Sequence, residues 1–241
     1  MKRISDENIL TELIGAWYEI LADDKNEEVR KEFVYEVGRV ELETLADKYG
    51  IVLPTYNHPL NAIKRFRELM CNAGVYTAIG DIKPRIIEKN KIQIRTWKCP
   101  YIFKCSSSIE KICIRGYSIC YAIDTFSSSK FKSIKILDVG KECKIEIEVE
   151  YSGDLLKVPE EFLNEKAKIL SIDLETRASI WLAGIEKGSR KIYGEKSSLF
   201  LKRVYEKFLC NVFEKYFKIE KICNFPIALW AEGKGIFNEK A

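Results

Sequence analysis

Between Cys143 and Tyr151 the chain alternates without interruption: Ile145, Ile147, Val149 and Tyr151 are separated by Lys144, Glu146, Glu148 and Glu150. A strand written this way buries one face and wets the other, so it requires an antiparallel sheet covered on one side only. Its partners can be read nearby. Ile86-Ile87 and then Ile92, Ile94 and Thr96, alternating with Gln93, Arg95 and Trp97, predict a β-hairpin turning at Glu88-Lys89-Asn90-Lys91. A further strand is expected over Phe131–Leu137, after a helix spanning Ile114 to Phe126 and the Ser127-Ser128-Ser129 loop.

On both sides of this block the period is helical. Ile9, Leu10, Leu13, Ile14, Trp17 and Leu21 follow Ser5 and Asp6, residue types that cap helices. A second helix is expected from Glu27 to Tyr49, ending at Gly50, and a third opens at Pro59. From Pro159 the steps of three and four through Leu163, Ala167, Leu170, Leu174, Ala178, Trp181 and Ile185 predict one long helix ending at Gly188, and another is expected to be capped near Ser197-Ser198. The expected fold class is α+β: a small central antiparallel sheet flanked by N-terminal and C-terminal helices, in one unit over 1–241. Residues 1–75 are its helical start and 156–241 its helical end. The apolar stripe through Leu163, Leu170, Leu174, Trp181 and Ile185 faces either the chain's own sheet or a second copy in a homodimer.

The longest stretch free of Asp, Glu, Lys and Arg runs from Tyr49 to Ile63 and contains Pro54, Asn57, His58, Pro59 and Asn61, so no membrane span is expected. The opening residues lead into an amphipathic pattern and not into a signal core, so a cytoplasmic protein is expected. Eight cysteines without a secretory leader argue for thiols or metal ligands over a disulfide framework. Residues 83–135 carry 12 Lys+Arg against 3 Asp+Glu, a local +9, whereas residues 1–82 carry 10 against 15. That asymmetry suits an anionic ligand or a solvated strand face. Nucleic acid is not expected as a partner, because neither a dense basic helix nor repeated aromatics on a sheet can be read.

Cys99, Cys105, Cys113 and Cys120 fall within 22 positions, separated by five, seven and six residues. Zinc sites generally use shorter gaps, and two helical thiols seven residues apart lie about 10 Å apart along the axis, so one metal cannot take both Cys113 and Cys120 if both are helical. The candidate ligands of zinc or an iron–sulfur group are Cys99 and Cys105, which share a short loop after a strand, together with Cys113 or with Cys143 at the start of a neighbouring strand. Buried structural thiols and a reactive cysteine remain the alternatives. Cys99, following a strand, is the candidate catalytic nucleophile. His58 is the only histidine. It would have to serve any Cys/His pair, and its plain role is that of a turn residue at a helix start. Neither a glycine-rich dinucleotide fingerprint nor a phosphate loop is present. Arg95, Trp97, Arg115, Tyr117 and Tyr121 bracket the cysteines and are the candidate lining of a cleft for a small ligand.

A strand running into Cys99-Pro100, a helix opening near Cys113-Ile114-Arg115-Gly116, and two strands with Gly140-Lys141-Glu142-Cys143-Lys144-Ile145 at the second resemble the 4-vinyl-reductase-type domain. That small-molecule-binding α/β module is related to the small subunits of the TRAPP vesicle-tethering complex. The resemblance covers residues 76–155. It implies a pocket for a mostly apolar molecule, with room in the expectation for an anionic group, and gives Cys143 the place of the last ligand of a zinc motif. The family's earlier cysteine and glutamate fall here on Lys135 or Ile136 and on Lys132 or Ser133. The Cys-Pro pattern and the helical start are also similar to proteins grouped with aminothiazoline-carboxylate hydrolases, which implies a cysteine-dependent hydrolase as the competing function.

Overall fold

The computed structural model describes residues 6–48, 56–72, 82–97, 112–157 and 174–218. Three helices come first, α1 (Asp6–Ala22), α2 (Glu27–Lys48) and α3 (Pro59–Asn72). The hairpin β1 (Ile82–Glu88) and β2 (Lys91–Trp97) follows, then α4 (Ile114–Phe126), then β3 (Lys130–Asp138) and β4 (Glu142–Glu150). Two helices close the described chain, α5 (Leu174–Tyr193) and α6 (Ser197–Val212), the second running into a π-turn at Phe213–Phe217. The chain is α+β, with helices flanking a four-stranded antiparallel sheet on its N- and C-terminal sides.

The sheet has the order β1-β2-β4-β3. Ile92 pairs with Ile147, Ile94 with Ile145 and Thr96 with Cys143, so the inward residues of the two central strands meet as pairs. All six are buried. Lys144, Glu146 and Glu148 stand on the opposite face, where Arg95 pairs with Glu142 and Ser133 and Asn90 both donate to Glu148. This is the one-sided burial that the alternation of 143–151 requires. Lys132 binds Glu150 across the β3 edge, and Pro84 sits in the edge strand β1, where a missing N–H is tolerated.

Helix α4 covers the sheet and is buried almost all round. Its inner side, with α3 and the sheet, encloses a core around Phe66, Phe126, Ile119, Ile145 and Ile147. Its outer side meets a second core among α1, α2, α5 and α6, centred on Trp17, Phe33, Trp181 and Phe200. Tyr35, Phe131 and Ile134 touch both. Helices α2 and α4 approach closely because Gly38 has no Cβ: one placed there would lie 3.0 Å from the Ser118 Cα and 3.1 Å from its nitrogen. Backbone cannot step aside as a flexible side chain can. Gly38→Val is accordingly expected to lower stability by about 1–3 kcal/mol, read from the denaturation midpoint in urea; an unchanged midpoint would show that the two helices separate without cost.

Two expectations at the C-terminal side are corrected. Gly188 does not end α5, which continues to Tyr193. A Cβ on Gly188 would overlap the Phe33 ring, so this glycine serves close packing against α2, and the helix stops instead at Gly194, whose φ of 55° is the left-handed conformation glycine allows. Nor do Ser197 and Ser198 cap α6: Lys196 precedes the first turn and no side chain bonds to it. Of the apolar stripe through this region, Trp181 and Ile185 are buried in the chain's own helical core, while Leu163 and Leu170 lie outside the described residues.

Candidate functional site

The start of α4 is held at three points. Cys113 is its N-cap, and its Sγ accepts from the Gly116 amide at 3.3 Å. The Tyr18 hydroxyl, reaching over from α1, donates to the Ile112 carbonyl and accepts from the Ile114 amide. Gly116 rests over Ile134 and Ile145 of the sheet. With the Ile114 and Gly116 amides engaged and that of Tyr117 bonded to the Cys113 carbonyl, the first turn supplies most of its donors to the protein itself.

Arg115 enters the interior from this turn. It is 3% exposed, and its Nη1 donates to the Thr96 hydroxyl at 3.1 Å. Thr96 is the last inward residue of β2 and lies opposite Cys143, the first of β4. Glu41 on α2 is 7% exposed, and burial pushes its carboxyl up to about 7, the Arg115 guanidinium pulling it only partly back. Among the described residues Glu41 makes neither a hydrogen bond nor an ion pair. The Arg115 guanidinium, the Thr96 hydroxyl and the Cys113 and Cys143 thiols thus stand at the start of α4 and the adjoining end of the sheet, and the buried Glu41 carboxyl on α2 feels the Arg115 charge. Such a cluster, set in an aliphatic surround, is where a fold can bind or do chemistry.

The five residues expected to line a cleft are divided by the sheet. Arg95 and Trp97 alternate with Thr96 and so stand on the open face, Arg95 paired with Glu142 at 2.7 Å and the half-buried Trp97 lying 5.1 Å from the Lys83 Nζ. Arg115, Tyr117 and Tyr121 are on the covered side. Tyr117 packs against Phe131, and burial raises its hydroxyl. Tyr121 stacks edge-on to Tyr35 and donates to Glu43; burial first and this bond second push it up to about 12. Only Arg115 of the five belongs to the cluster. Glu41 was absent from the expected set.

Among the cysteines, Cys113 precedes the helix and Cys143 opens β4, both buried, while Cys99 and Cys105 lie outside the described residues. Among the described residues no group of three or more His, Cys, Asp or Glu side chains could hold a metal ion. Cys120 is fully buried in α4, which drives its thiol well above its ordinary value, as suits a small apolar group. His58 has the plain role. Its Nδ1 accepts from the Leu60 amide at the start of α3, its ring meets Tyr151 edge-on, and burial lowers it against the pull of the Leu155 carbonyl. That end of the molecule is joined to the far end of α4, where Tyr56 bonds to Phe126 and Ser128. The 13 residues of α4 span about 20 Å, so His58 cannot pair with Cys113.

No family model, curated protein or solved structure matches the chain. Among the described residues no helix is long and apolar enough to cross a membrane.

Proposed function

We propose that the protein binds a small, mostly apolar molecule bearing an anionic group, and that the anionic group is received at Arg115. The observation that carries this reading is a guanidinium almost wholly removed from water at the edge of an aliphatic core. Arginine's planar fork matches a carboxylate with two parallel bonds, and desolvation strengthens that interaction. The resemblance to the 4-vinyl-reductase-type domain supports it, since the hairpin, helix and strand pair follow one another in the order on which that resemblance rests. Thermal unfolding against a panel of carboxylates from benzoate to decanoate tests it. At least one should raise the midpoint saturably, with amines of the same body inert; a flat response across the panel withdraws the reading.

A second reading, a cysteine-ligated metal protein, draws on Cys113 and Cys143 standing at that same end of the sheet and the helix. It expects stoichiometric zinc or iron in the parent protein and in Cys210→Ser, and loss in Cys143→Ser. A metal-free parent removes it. The cysteine-dependent hydrolase would use Cys99, which lies outside the described residues, and would need a base other than His58, whose Nδ1 accepts from the Leu60 amide.

A further inference from the structure

The first turn of α3 is capped by the chain's only histidine. Pro59, at the first helical position, has no N–H to satisfy, so Leu60 carries the first amide that needs an acceptor. His58 supplies it: its Nδ1 lies 3.2 Å from the Leu60 nitrogen, and its carbonyl accepts from the Asn61 amide. Aspartate, asparagine or serine ordinarily takes this place, with a side-chain oxygen accepting from the second residue of the helix. The ring is nearly out of water at 6% exposure and lies 5.2 Å from that of Tyr151, just past β4. Burial lowers its pKa and outweighs the Leu155 carbonyl and the Asp154 carboxylate, which favour a proton. Among the described residues Asp154 is the one charge that acts on the ring, and Lys157 holds Asp154 at 3.8 Å. At the end of α4, Asp124 is committed to the Tyr35 hydroxyl and the Phe131 amide.

We propose that His58 is a proton-sensitive cap: neutral, it fastens the start of α3 to the end of β4, and protonated, it releases the first turn of that helix. The Nδ1 lone pair decides this. An amide N–H can bond only to an unprotonated ring nitrogen, so the neutral ring carries its hydrogen on Nε2. A proton taken from solvent goes onto Nδ1, where it faces the Leu60 N–H, and the nitrogen changes from acceptor to donor. The same proton sets a positive charge at the N-terminal end of a 14-residue helix, which the helix dipole opposes. Both effects act against the cap. An aspartate or asparagine in this place keeps its acceptor from pH 8 to pH 5, whereas an imidazole loses it. The turn so held carries Leu60, Ala62 and Ile63, all buried in the core with α4 and the sheet, so its release opens that core at the far end of α4. The cap works whether or not a carboxylate binds at Arg115.

A single histidine makes the test direct. Nitrogen-15 NMR of the full chain at pH 8 should find the ring hydrogen on Nε2, and acidification should titrate the ring with a midpoint below the ordinary 6.5. Across that titration the protection factor of the Leu60 amide against hydrogen exchange should fall about fivefold, the change expected for losing a side-chain cap. The sign follows from the lowered value: protection is complete above 6.5 and is lost as pH falls through the folded-state midpoint. In His58→Asn the Leu60 protection factor should be the same at both ends of that range, and in His58→Ala it should be low at both. A ring hydrogen on Nδ1 at pH 8, a ring that takes no proton before the protein unfolds in acid, or a Leu60 protection factor that stays level while the ring titrates overturns the inference. So does an equal fall in His58→Asn, which would place the titrating group elsewhere. The wild-type titration needs no variant, so the test survives a substitution that fails to fold.

Discussion

Trp17→Ala should cost about 3–5 kcal/mol of stability, the range for deleting a large aromatic from a packed core. Trp17 is 0% exposed, with Tyr18, Phe33 and Trp181 at ring separations of 5.0, 5.6 and 5.9 Å. These rings come from α1, α2 and α5, so the cavity would open where three helices meet, and the backbone of none can fill it alone. A control separates size from polarity. The Trp17 Nε1 is buried without an acceptor among the described residues, so Trp17→Phe deletes an unsatisfied donor while keeping most of the ring area. Its loss should be smaller, on the order of 1 kcal/mol. Urea denaturation of both variants checks the pair. An alanine variant within 1 kcal/mol of wild type would mean that the helical core does not unfold with the rest.

The same residues show where reading from sequence succeeds. Strand β4 and helix α4 were legible almost to the residue because the information is local: alternation fixes the strand, and the change of period between Thr96 and Ile114 fixes the helix. The end of α5 was not. Gly188 looks like a stop signal, and only the Phe33 ring across the interface shows that it is a packing glycine. The candidate lining of the cleft is a related case. Arg95 and Trp97 were grouped with Arg115 because they are near in sequence, although the period of two that predicts β2 already puts them on the face opposite Thr96. Read by residue type alone, Glu41 is one more charge on a charged helix. A signal existed: Val34, Gly38, Glu41 and Leu45 lie at steps of four, three and four, which places the carboxyl on the stripe that α2 buries. What sequence cannot supply is the partner of that stripe, since the neighbour of Glu41 is Arg115, 74 positions on.

The Glu41 carboxyl also predicts how the fold responds to pH. Its value in the folded state, about 7, is above its ordinary 4.5, so below 4.5 folded and unfolded chains both hold the proton and burial costs nothing extra. From there to about 7 the unfolded chain has lost the proton while the folded one keeps it, and stability falls with rising pH by about 1.4 kcal/mol per unit. Above 7 the whole penalty, about 3 kcal/mol, is in place. His58 works in the opposite sense, because burial depresses it below its ordinary 6.5 and stability is lost as pH falls through that region. The two contributions separate in a difference measurement. Unfolding midpoints of wild type and Glu41→Gln, taken from pH 5 to pH 8, share the His58 contribution, so their difference should decline by about 3 kcal/mol at the expense of the wild type. Arg115→Met should extend that decline above pH 7, since it removes the one charge that favours the ionised carboxyl. Parallel curves for wild type and Glu41→Gln would mean that Glu41 ionises as freely in the folded protein as in water, and the buried cluster would then be an ordinary piece of solvated surface.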